Sequence, residues 1–195
     1  MIVKWKHKAR YGQEPSYVLG MKWLAECEAV EDWGCGPAYA KRHCSVPYTG
    51  IDGTPGAADV IADLSSYRST TPGLFMRGVL EHNYDWRDIL ENALGSFTHR
   101  MALILYRPLQ KVEKTIIPAN PVELDLPEGE LMDMVDPFLK RIEKVAPSAH
   151  GYETVLLLEK TEDEETETPP APVPPVRLRF PEHPGGAGDV QRDRA

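Results

Sequence analysis

The sequence predicts an α/β domain whose mostly parallel sheet is covered by helices on both faces. Apolar runs of strand length alternate along the chain with stretches of helical spacing. Residues 101–106, MALILY, are apolar throughout, as expected for a strand that is buried on both faces. A predicted short strand at 29–33, AVEDW, leads directly into the glycine turn GCG, which is typical of a strand followed by a helix beside a ligand.

The first elements along the chain are a helix and a strand. Residues 17–28 carry apolar side chains at approximately helical spacing, which predicts a helix that covers one face of the sheet. Residues 29–33 predict a short buried strand, and residues 38–43, after the glycines, are compatible with a helix.

Three further strands are predicted at 48–52, 59–63 and 74–78. Only Gly53 to Ala58 separate the first two of these, whereas a parallel crossover needs about a dozen residues or more. Either the usual helix between them is missing or residues 59–63 do not form a paired strand, and the sequence leaves both possibilities open.

The middle of the chain has the clearest helical pattern. Residues 85–97 place apolar side chains at i, i+3 and i+4 with charges between them, and Asp85 is a suitable N-cap. The apolar strand at 101–106 follows. Residues 108–130 contain four prolines and no clear period, which predicts a long surface connection.

The last part of the domain is predicted as one helix and one strand. Asp136 and Pro137 form a cap and first-turn pair, which predicts a helix that runs to about Val145. Residues 153–160, ETVLLLEK, are the only clear strand after it.

Length and composition divide the chain into a domain and two flanking segments. The 195 residues suffice for one domain of about 150 residues with a full core. We expect that domain at 15–160, between a basic segment at 1–14 and a tail at 161–195. The tail is acidic and proline-rich, so it has too little apolar surface to fold and is predicted to be disordered.

Composition also restricts the partners. The three cysteines match no zinc spacing, so no metal site is predicted. No signal peptide or membrane span is recognisable, which predicts a cytoplasmic protein without a membrane partner. The cations of MIVKWKHKAR, residues 1–10, are more typical of a solvated chain end than of a nucleic-acid site.

The glycine turn and its acids predict the kind of ligand. A dinucleotide fingerprint needs a third glycine where Tyr39 stands. An ionised Asp32 would also oppose a pyrophosphate, because two like charges 4 Å apart cost about 4 kcal/mol at an effective dielectric near 20. Asp52, which closes the second strand, can accept both hydroxyls of a ribose. We therefore expect a nucleoside without phosphates, one that can carry a positive group.

Four segments in this order resemble a known family. VEDWGCGPA at 30–38, YTGID at 48–52, ADL at 62–64 and RGVLEH at 77–82, followed by an amphipathic helix, look like the class I S-adenosylmethionine-dependent methyltransferases, especially the small-molecule type with an LEH segment. The resemblance covers roughly residues 15–107. It implies a Rossmann-like three-layer sandwich, S-adenosylmethionine as cofactor and a small-molecule methyl acceptor. The sheet of this family ends in an antiparallel hairpin, of which only residues 153–160 are clear here, so we expect a sheet that is reduced in size and short of one strand.

The same resemblance implies roles for individual residues. Asp32 would lie near the amino group of the methionine portion, the Gly34–Gly36 backbone under the cofactor, and Asp52 at the ribose diol. Asp63 and Leu64 would meet the adenine edge, and Arg77 would pair with the cofactor carboxylate. The full set of predicted cofactor-binding residues is Asp32, Gly34, Cys35, Gly36, Asp52, Gly53, Asp63, Leu64 and Arg77.

Structural roles compete with several of these assignments. Asp52 can be a turn acid, Asp63 a helix cap and Cys35 a small filler of the turn. His82 is the catalytic candidate, because a histidine past a strand end can take a proton from an acceptor, although it can equally hold the loop by hydrogen bonding.

The sequence thus predicts a methyltransferase, with two alternatives. One is a non-catalytic protein that keeps a degenerate form of the fold and binds the cofactor. The other is a nicotinamide-dependent oxidoreductase, which Tyr39 and Asp32 disfavour. Methyl transfer depends mainly on positioning, so no fixed catalytic triad is expected.

Overall fold

A computed structural model of the chain describes residues 15–118, 122–148 and 150–161. Its helices are α1 (Pro15–Trp23), α2 (Trp86–Ser96) and α3 (Glu128–Val135). Its strands are β1 (Val30–Trp33), β2 (Tyr48–Asp52), β3 (Val60–Ile61), β4 (Thr71–Arg77), β5 (Phe97–Leu105), β6 (Lys114–Ile117), β7 (Glu123–Asp125), β8 (Leu139–Ser148) and β9 (Gly151–Glu159). Short 3₁₀ turns at Leu24–Glu26, Tyr39–His43, Leu80–His82 and Asp136–Phe138 connect them.

Seven strands form one sheet in the order β3-β2-β1-β4-β5-β9-β8. The pairs from β3 to β5 are parallel, and β9 runs antiparallel to both β5 and β8. The predicted mostly parallel α/β fold is confirmed. The expected loss of a strand is wrong, because β8 and β9 form a complete antiparallel pair at the edge of the sheet.

The sheet separates two apolar cores and so forms the middle of three layers. Successive residues of a strand point to opposite faces. On β4, Leu74 and Met76 pack in the larger core with Trp86 of α2, while Phe75 packs in the smaller core with Met21 of α1. Helix α2 begins after Asp85 as predicted, although the Asp85 side chain makes no capping hydrogen bond.

The order in which strands are added to the sheet reverses between β1 and β4. From β1 the chain moves outward to β2 and β3, and it then returns to β4 on the other side of β1. In open α/β sheets a ligand crevice lies at such a switch point, beyond the carboxyl ends of the strands. The glycine turn after β1 and the RGVLEH segment after β4 both lie at this edge.

The predicted helix from Asp136 to Val145 is wrong. Asp136–Phe138 form one 3₁₀ turn and Leu139–Ser148 form the edge strand β8. Charged residues such as Lys140 and Lys144 are exposed on this strand. An edge strand with charged side chains resists pairing with other chains, but those charges also imitate the polar face of a helix.

The predicted connection at 108–130 is partly structured. It contains the two-stranded sheet of β6 and β7, and α3 begins at Glu128. Val122, Leu124 and Leu126 are buried in the larger core. The segment therefore covers the sheet on the α2 side and is more than a surface loop.

The open question about residues 59–63 has a definite answer. Val60 and Ile61 pair in parallel with the end of β2. The seven described residues between Asp52 and Val60 contain no helix. The chain makes this parallel connection in a short loop, tied by a hydrogen bond of 2.8 Å from the Asp59 amide to the Gly50 carbonyl.

The basic segment at 1–14 and the tail at 161–195, except Thr161, lie outside the described residues. Among the helices that the structure describes, none is long and apolar enough to cross a membrane.

Candidate functional site

The glycine turn after β1 requires its glycines. Gly34 and Gly36 have φ angles of 76° and 51°, in the left-handed region that favours glycine. A Cβ on Gly34 would lie 2.3 Å from Cγ2 of Val79, so only a residue without a side chain fits there. Ala38 also has a φ of 56°. The turn thus brings bare backbone to the end of β1, against the segment that follows β4.

Asp52 fastens the end of β2 to this turn. Its Oδ2 accepts a hydrogen bond of 2.9 Å from the Gly36 amide, and its Oδ1 accepts one of 2.8 Å from the Thr54 amide. A carboxylate has about four acceptor positions. Asp52 is half-buried and can therefore accept further hydrogen bonds from a ligand while it holds the turn.

Asp32 lies buried on β1, with 4% of its surface exposed. The Tyr48 hydroxyl of β2 donates a hydrogen bond of 2.5 Å to its Oδ2. Burial raises the pKa of Asp32 to about 7; the Tyr48 hydrogen bond opposes this shift and the charge of Asp52 adds to it. Since this pKa is close to neutral pH, a cation beside Asp32 would favour its ionised form and an apolar neighbour would favour its protonated form.

Cys35 fills the centre of the turn. A Cβ on Gly50 would lie 2.9 Å from its Sγ, so β2 needs a glycine opposite the thiol. Burial, reinforced by the charges of Asp32 and Asp52, raises the pKa of the Cys35 thiol well above its ordinary value. A protonated, enclosed thiol fits the expected role of filler and is a poor nucleophile.

Three carboxylates surround the turn, and we call Asp32, Asp52 and Asp59 the glycine-turn cluster. Asp59 is exposed, and its Oδ2 accepts a hydrogen bond of 2.9 Å from the Gly50 amide. Among the described residues, no ion pair joins any of these acids to a cation. The same residues include no group of His, Cys, Asp or Glu side chains that could hold a metal ion. The cluster is chemically suited to a cationic ligand with hydroxyl groups.

The predicted adenine-side residues, Asp63 and Leu64, follow β3; the first is exposed and the second is buried. Asp63 is exposed, and its Oδ1 accepts hydrogen bonds from the amide and hydroxyl of Ser65 at 3.1 and 2.8 Å. Leu64 packs in the larger core, and its carbonyl accepts a hydrogen bond from Asn92. Gly53 follows Asp52 in the loop to β3. The contact of these residues with a ligand stays a prediction.

Arg77, at the end of β4, has protein partners in this structure. Its guanidinium pairs with Glu153 of β9, and it lies 3.3 Å from both the Ser16 hydroxyl and the Tyr17 hydroxyl of α1. It also stacks over the Tyr17 ring, 4.6 Å from the centroid. These contacts tie the start of α1 to the sheet. The predicted pairing of Arg77 with a cofactor carboxylate stays a prediction.

A second polar group lies beside Arg77 at the same edge of the sheet. Arg107 pairs with Glu123 and with Asp125 on β7. Glu81 is 1% exposed, and its Oε1 accepts a hydrogen bond of 2.7 Å from the Tyr106 amide. Burial raises the pKa of Glu81 to about 7. The name arginine cluster is used below for Arg77, Glu81, Arg107, Glu123, Asp125 and Glu153.

His82 is held in one tautomer. Its Nδ1 lies 2.8 Å from the Val122 carbonyl oxygen. Because a carbonyl only accepts hydrogen bonds, Nδ1 carries the hydrogen and Nε2 is the basic nitrogen. The ring stacks on Tyr106 at 5.0 Å between centroids, and burial lowers the pKa of His82. The histidine is therefore a neutral base, and it also holds the loop, so both predicted roles are compatible with its position.

Comparison with known proteins identifies the fold. No protein-family model and no curated protein matches the sequence. Among solved structures, the 1,6-didemethyltoxoflavin-N1-methyltransferase of Burkholderia thailandensis, determined with 1,6-didemethyltoxoflavin and S-adenosylhomocysteine, has a TM-score of 0.62 at 17% identity, over 79% of this chain and 80% of that one. The magnesium protoporphyrin IX methyltransferase of Synechocystis, with bound S-adenosylhomocysteine, has a TM-score of 0.58 at 13% identity, over 80% and 90%. An S-adenosylmethionine-dependent methyltransferase from Mesorhizobium loti has a TM-score of 0.52 at 11% identity, over 72% and 95%.

The chain has the fold of S-adenosylmethionine-dependent methyltransferases. The resemblance found in the sequence is thereby confirmed at the level of this fold. Membership of the small-molecule type with an LEH segment stays a prediction.

Sequence reasoning missed two side chains at this edge of the methyltransferase fold. Tyr48 was read only as the start of a strand, although period-two alternation places it on the same face as Asp52. Glu153 was read as part of an apolar strand. Its partner Arg77 is 76 positions away, so no local pattern indicates the pair.

Proposed function

We propose that this chain binds S-adenosylmethionine and transfers its methyl group to a small-molecule acceptor. The observation that carries the proposal is the glycine-turn cluster, whose carboxylates have no cationic partner among the described residues. A ligand with an ammonium group, a sulfonium and a ribose diol supplies the missing positive charge and the missing donors. The shared fold supports the same ligand, because several structures with that fold were determined with S-adenosylmethionine or S-adenosylhomocysteine.

The residues fit that cofactor. Asp52 is oriented by two backbone amides and has acceptor capacity left for the ribose hydroxyls. Asp32 provides a carboxylate for the amino group, and the Gly34–Gly36 backbone allows close approach. When bound, S-adenosylmethionine supplies a methyl group that is already activated by its sulfonium.

Positioning is the main contribution that we assign to the protein. A methyl transfer needs the acceptor atom close to the methyl group and in line with the departing sulfur. His82 can remove a proton from a hydroxyl or amine acceptor through Nε2, and burial keeps its pKa low, so the ring is neutral at pH 7. We propose His82 as this base.

The acceptor proposed here is a small molecule. Two proteins with the same fold are named for small molecules, one for 1,6-didemethyltoxoflavin and the other for magnesium protoporphyrin IX. We propose a cytoplasmic enzyme without a membrane or nucleic-acid partner. The alternative of a non-catalytic cofactor-binding protein draws its support from the trimmed region between β2 and β3 and from the small size of the chain. The structure keeps that region short, with no helix in the described residues between Asp52 and Val60, so methyl transfer itself must be measured to separate the two functions.

Thermal unfolding with S-adenosylhomocysteine tests cofactor binding. A ligand at 100 times its dissociation constant should stabilise the native protein by about 2.7 kcal/mol. We expect this shift in the wild type and in Asp88→Ala, which removes an exposed acid on α2, but not in Asp52→Ala. An equal shift in Asp52→Ala, or none in the wild type, contradicts the proposal.

Methyl transfer then separates the enzyme from the non-catalytic alternative. The wild type should produce S-adenosylhomocysteine from S-adenosylmethionine in the presence of a panel of phenols, aromatic amines and nitrogen heterocycles. His82→Gln should lower the turnover of hydroxyl acceptors by about 10²–10⁴-fold. Cofactor binding without transfer to any member of a broad acceptor panel favours the alternative.

A further inference from the structure

Tyr48 reaches from β2 to the buried acid on β1. It is the first residue of β2 and pairs in register with Val30, two residues before Asp32. Its hydroxyl nevertheless meets Oδ2 of Asp32 at 2.5 Å. The mechanism proposed above uses Asp32 but assigns nothing to Tyr48.

The surroundings of Asp32 make this contact decisive. On β2 the side chains that face it are Tyr48 and Asp52, on β4 its register partner is the apolar Phe75, and the turn contributes the Cys35 thiol. Lys41 lies over the Tyr48 ring, 5.4 Å from its centroid, and the Cys44 thiol also senses the Asp32 charge. Tyr48 is therefore the one side chain described here that donates a hydrogen bond to Asp32.

Tyr48 can act only as a donor in this pair. Burial, together with the charge of Asp32, raises the pKa of the Tyr48 hydroxyl far above its ordinary value, so the phenol keeps its hydrogen. A charge-assisted O–H···O⁻ bond fixes the rotation of the carboxylate and favours its ionised form.

We propose that Tyr48 is a positioning residue that holds the Asp32 carboxylate in the orientation in which it meets the ammonium group of the cofactor. This proposal rests on the proposed function, because it assigns Asp32 to that ammonium group. Tyr48 touches Asp32 and is not required to touch the cofactor.

Proton linkage gives this role a signature. In the free protein the pKa of Asp32 is about 7, and an ammonium ligand binds the ionised form. Affinity should therefore rise with pH up to about 7 and level off above it, and binding should release a proton below that pH. Loss of the Tyr48 hydroxyl raises the pKa of Asp32 further and moves the whole profile to higher pH.

The experiment is calorimetric titration of S-adenosylhomocysteine into the full chain between pH 5.5 and 8.5. For the wild type we expect the dissociation constant to increase by up to about tenfold for each pH unit below 7. Tyr48→Phe should bind about tenfold more weakly at pH 7, release more protons there and approach wild-type affinity at the high end. Tyr152→Phe removes a hydroxyl from β9, outside the site, and should follow the wild type.

Asp32→Asn provides a second variant that does not depend on how Tyr48→Phe folds. It should flatten the pH profile and abolish the proton release. A Tyr48→Phe profile of unchanged midpoint, whether weaker or not, overturns the positioning role and leaves the hydroxyl as packing alone. A flat wild-type profile with tight binding overturns the proposal but leaves the proposed function intact. A wild type that does not bind at any pH removes the proposed function first.

Discussion

The glycine-turn cluster and the arginine cluster lie at the same edge of the sheet but differ in how their charges are balanced. Among the described residues, Asp32, Asp52 and Asp59 receive hydrogen bonds from backbone amides and one phenol, and from no cation. In the arginine cluster, Arg77 pairs with Glu153, and Arg107 pairs with Glu123 and Asp125.

This difference separates carboxylates that we propose as ligand-binding groups from ion pairs that join elements of the fold. Buried charges are normally paired, because an unpaired charge loses its hydration without compensation. In the arginine cluster both arginines have carboxylate partners within the protein, and their contacts join α1, β4, β7 and β9, although one carboxylate oxygen each of Glu81 and Glu153 is buried without a hydrogen bond from the residues that the structure describes. In the glycine-turn cluster only Asp32 is buried, and it has no cationic partner among the described residues, in keeping with its raised pKa. Four substitutions test this comparison on stability, in order of decreasing effect.

Glu153→Ala should cost the most stability, about 3–5 kcal/mol, because it removes the Glu153 carboxylate from the Arg77 guanidinium at a site where the arginine side chain is 9% exposed. Urea unfolding measures the loss. Glu143→Ala, which breaks an exposed pair with Arg141 on β8, is the matched control and should change stability little. Replacing both partners by Arg77→Met and Glu153→Leu should recover most of the loss, and a single-variant loss below 1 kcal/mol would remove the fold-holding role.

Gly34→Ala should cost about 2–4 kcal/mol. The new Cβ would lie 2.3 Å from Cγ2 of Val79, and the alanine would have to adopt a φ of 76°. Chemical denaturation of Gly34→Ala, with and without Val79→Ala, separates the two costs. Measured against Val79→Ala alone, the added Gly34→Ala substitution should cost less stability than it does in the wild type, because the steric clash is gone. An equal cost in both backgrounds would mean that the glycine turn and the segment after β4 are not in contact.

Glu81→Gln should change how stability depends on pH. Between about pH 4.5 and 7 the native state keeps a proton on Glu81 that the unfolded chain has lost, so wild-type stability falls as pH rises through this window. The glutamine variant lacks this decrease, and its amide oxygen can still accept the hydrogen bond from the Tyr106 amide. The difference in unfolding free energy between the wild type and Glu81→Gln should change by about 2–3 kcal/mol between pH 4.5 and 7.5 in denaturant titrations. A constant difference would mean that Glu81 is ionised throughout.

Asp59→Asn should have the smallest effect on stability, within about 0.5 kcal/mol. Asp59 is exposed, and an asparagine oxygen can still accept the hydrogen bond from the Gly50 amide. Its unfolding free energy should therefore match that of the wild type in the absence of ligand. A clear gain in stability would indicate that repulsion reaches the exposed rim of the glycine-turn cluster as well as its buried part.

The sequence predicted those parts of the fold whose signals are local. The apolar run of β5, the amphipathic face of α2 and the glycines after β1 each reflect the environment of their own segment, and each was located correctly. The positions of Asp32 and Asp52 followed from the same turn and strand. Their arrangement around the glycine turn is as expected, although their contact with a cofactor is a proposal.

The rest depends on partners distant in sequence. The strand β8 was predicted as a helix because the preceding Asp136–Pro137 pair fits a helical start, whereas its actual conformation is set by pairing with Leu156–Leu158 of β9. The two-residue strand β3 is too short to carry a periodic signal. The Tyr48 and Glu153 contacts likewise join strands that only the folded sheet brings together.

The packing of Cys35 against Gly50 gives the protein an internal reporter. A thiol with a raised pKa that is enclosed by a neighbouring backbone should react slowly with alkylating reagents such as iodoacetamide, while the half-buried Cys44 reacts first. The rate of Cys35 alkylation therefore measures how often the glycine turn after β1 opens. Any ligand that holds this turn closed should slow the alkylation of Cys35 without touching the sulfur. The alkylation rate of this thiol can therefore report whether a ligand is bound.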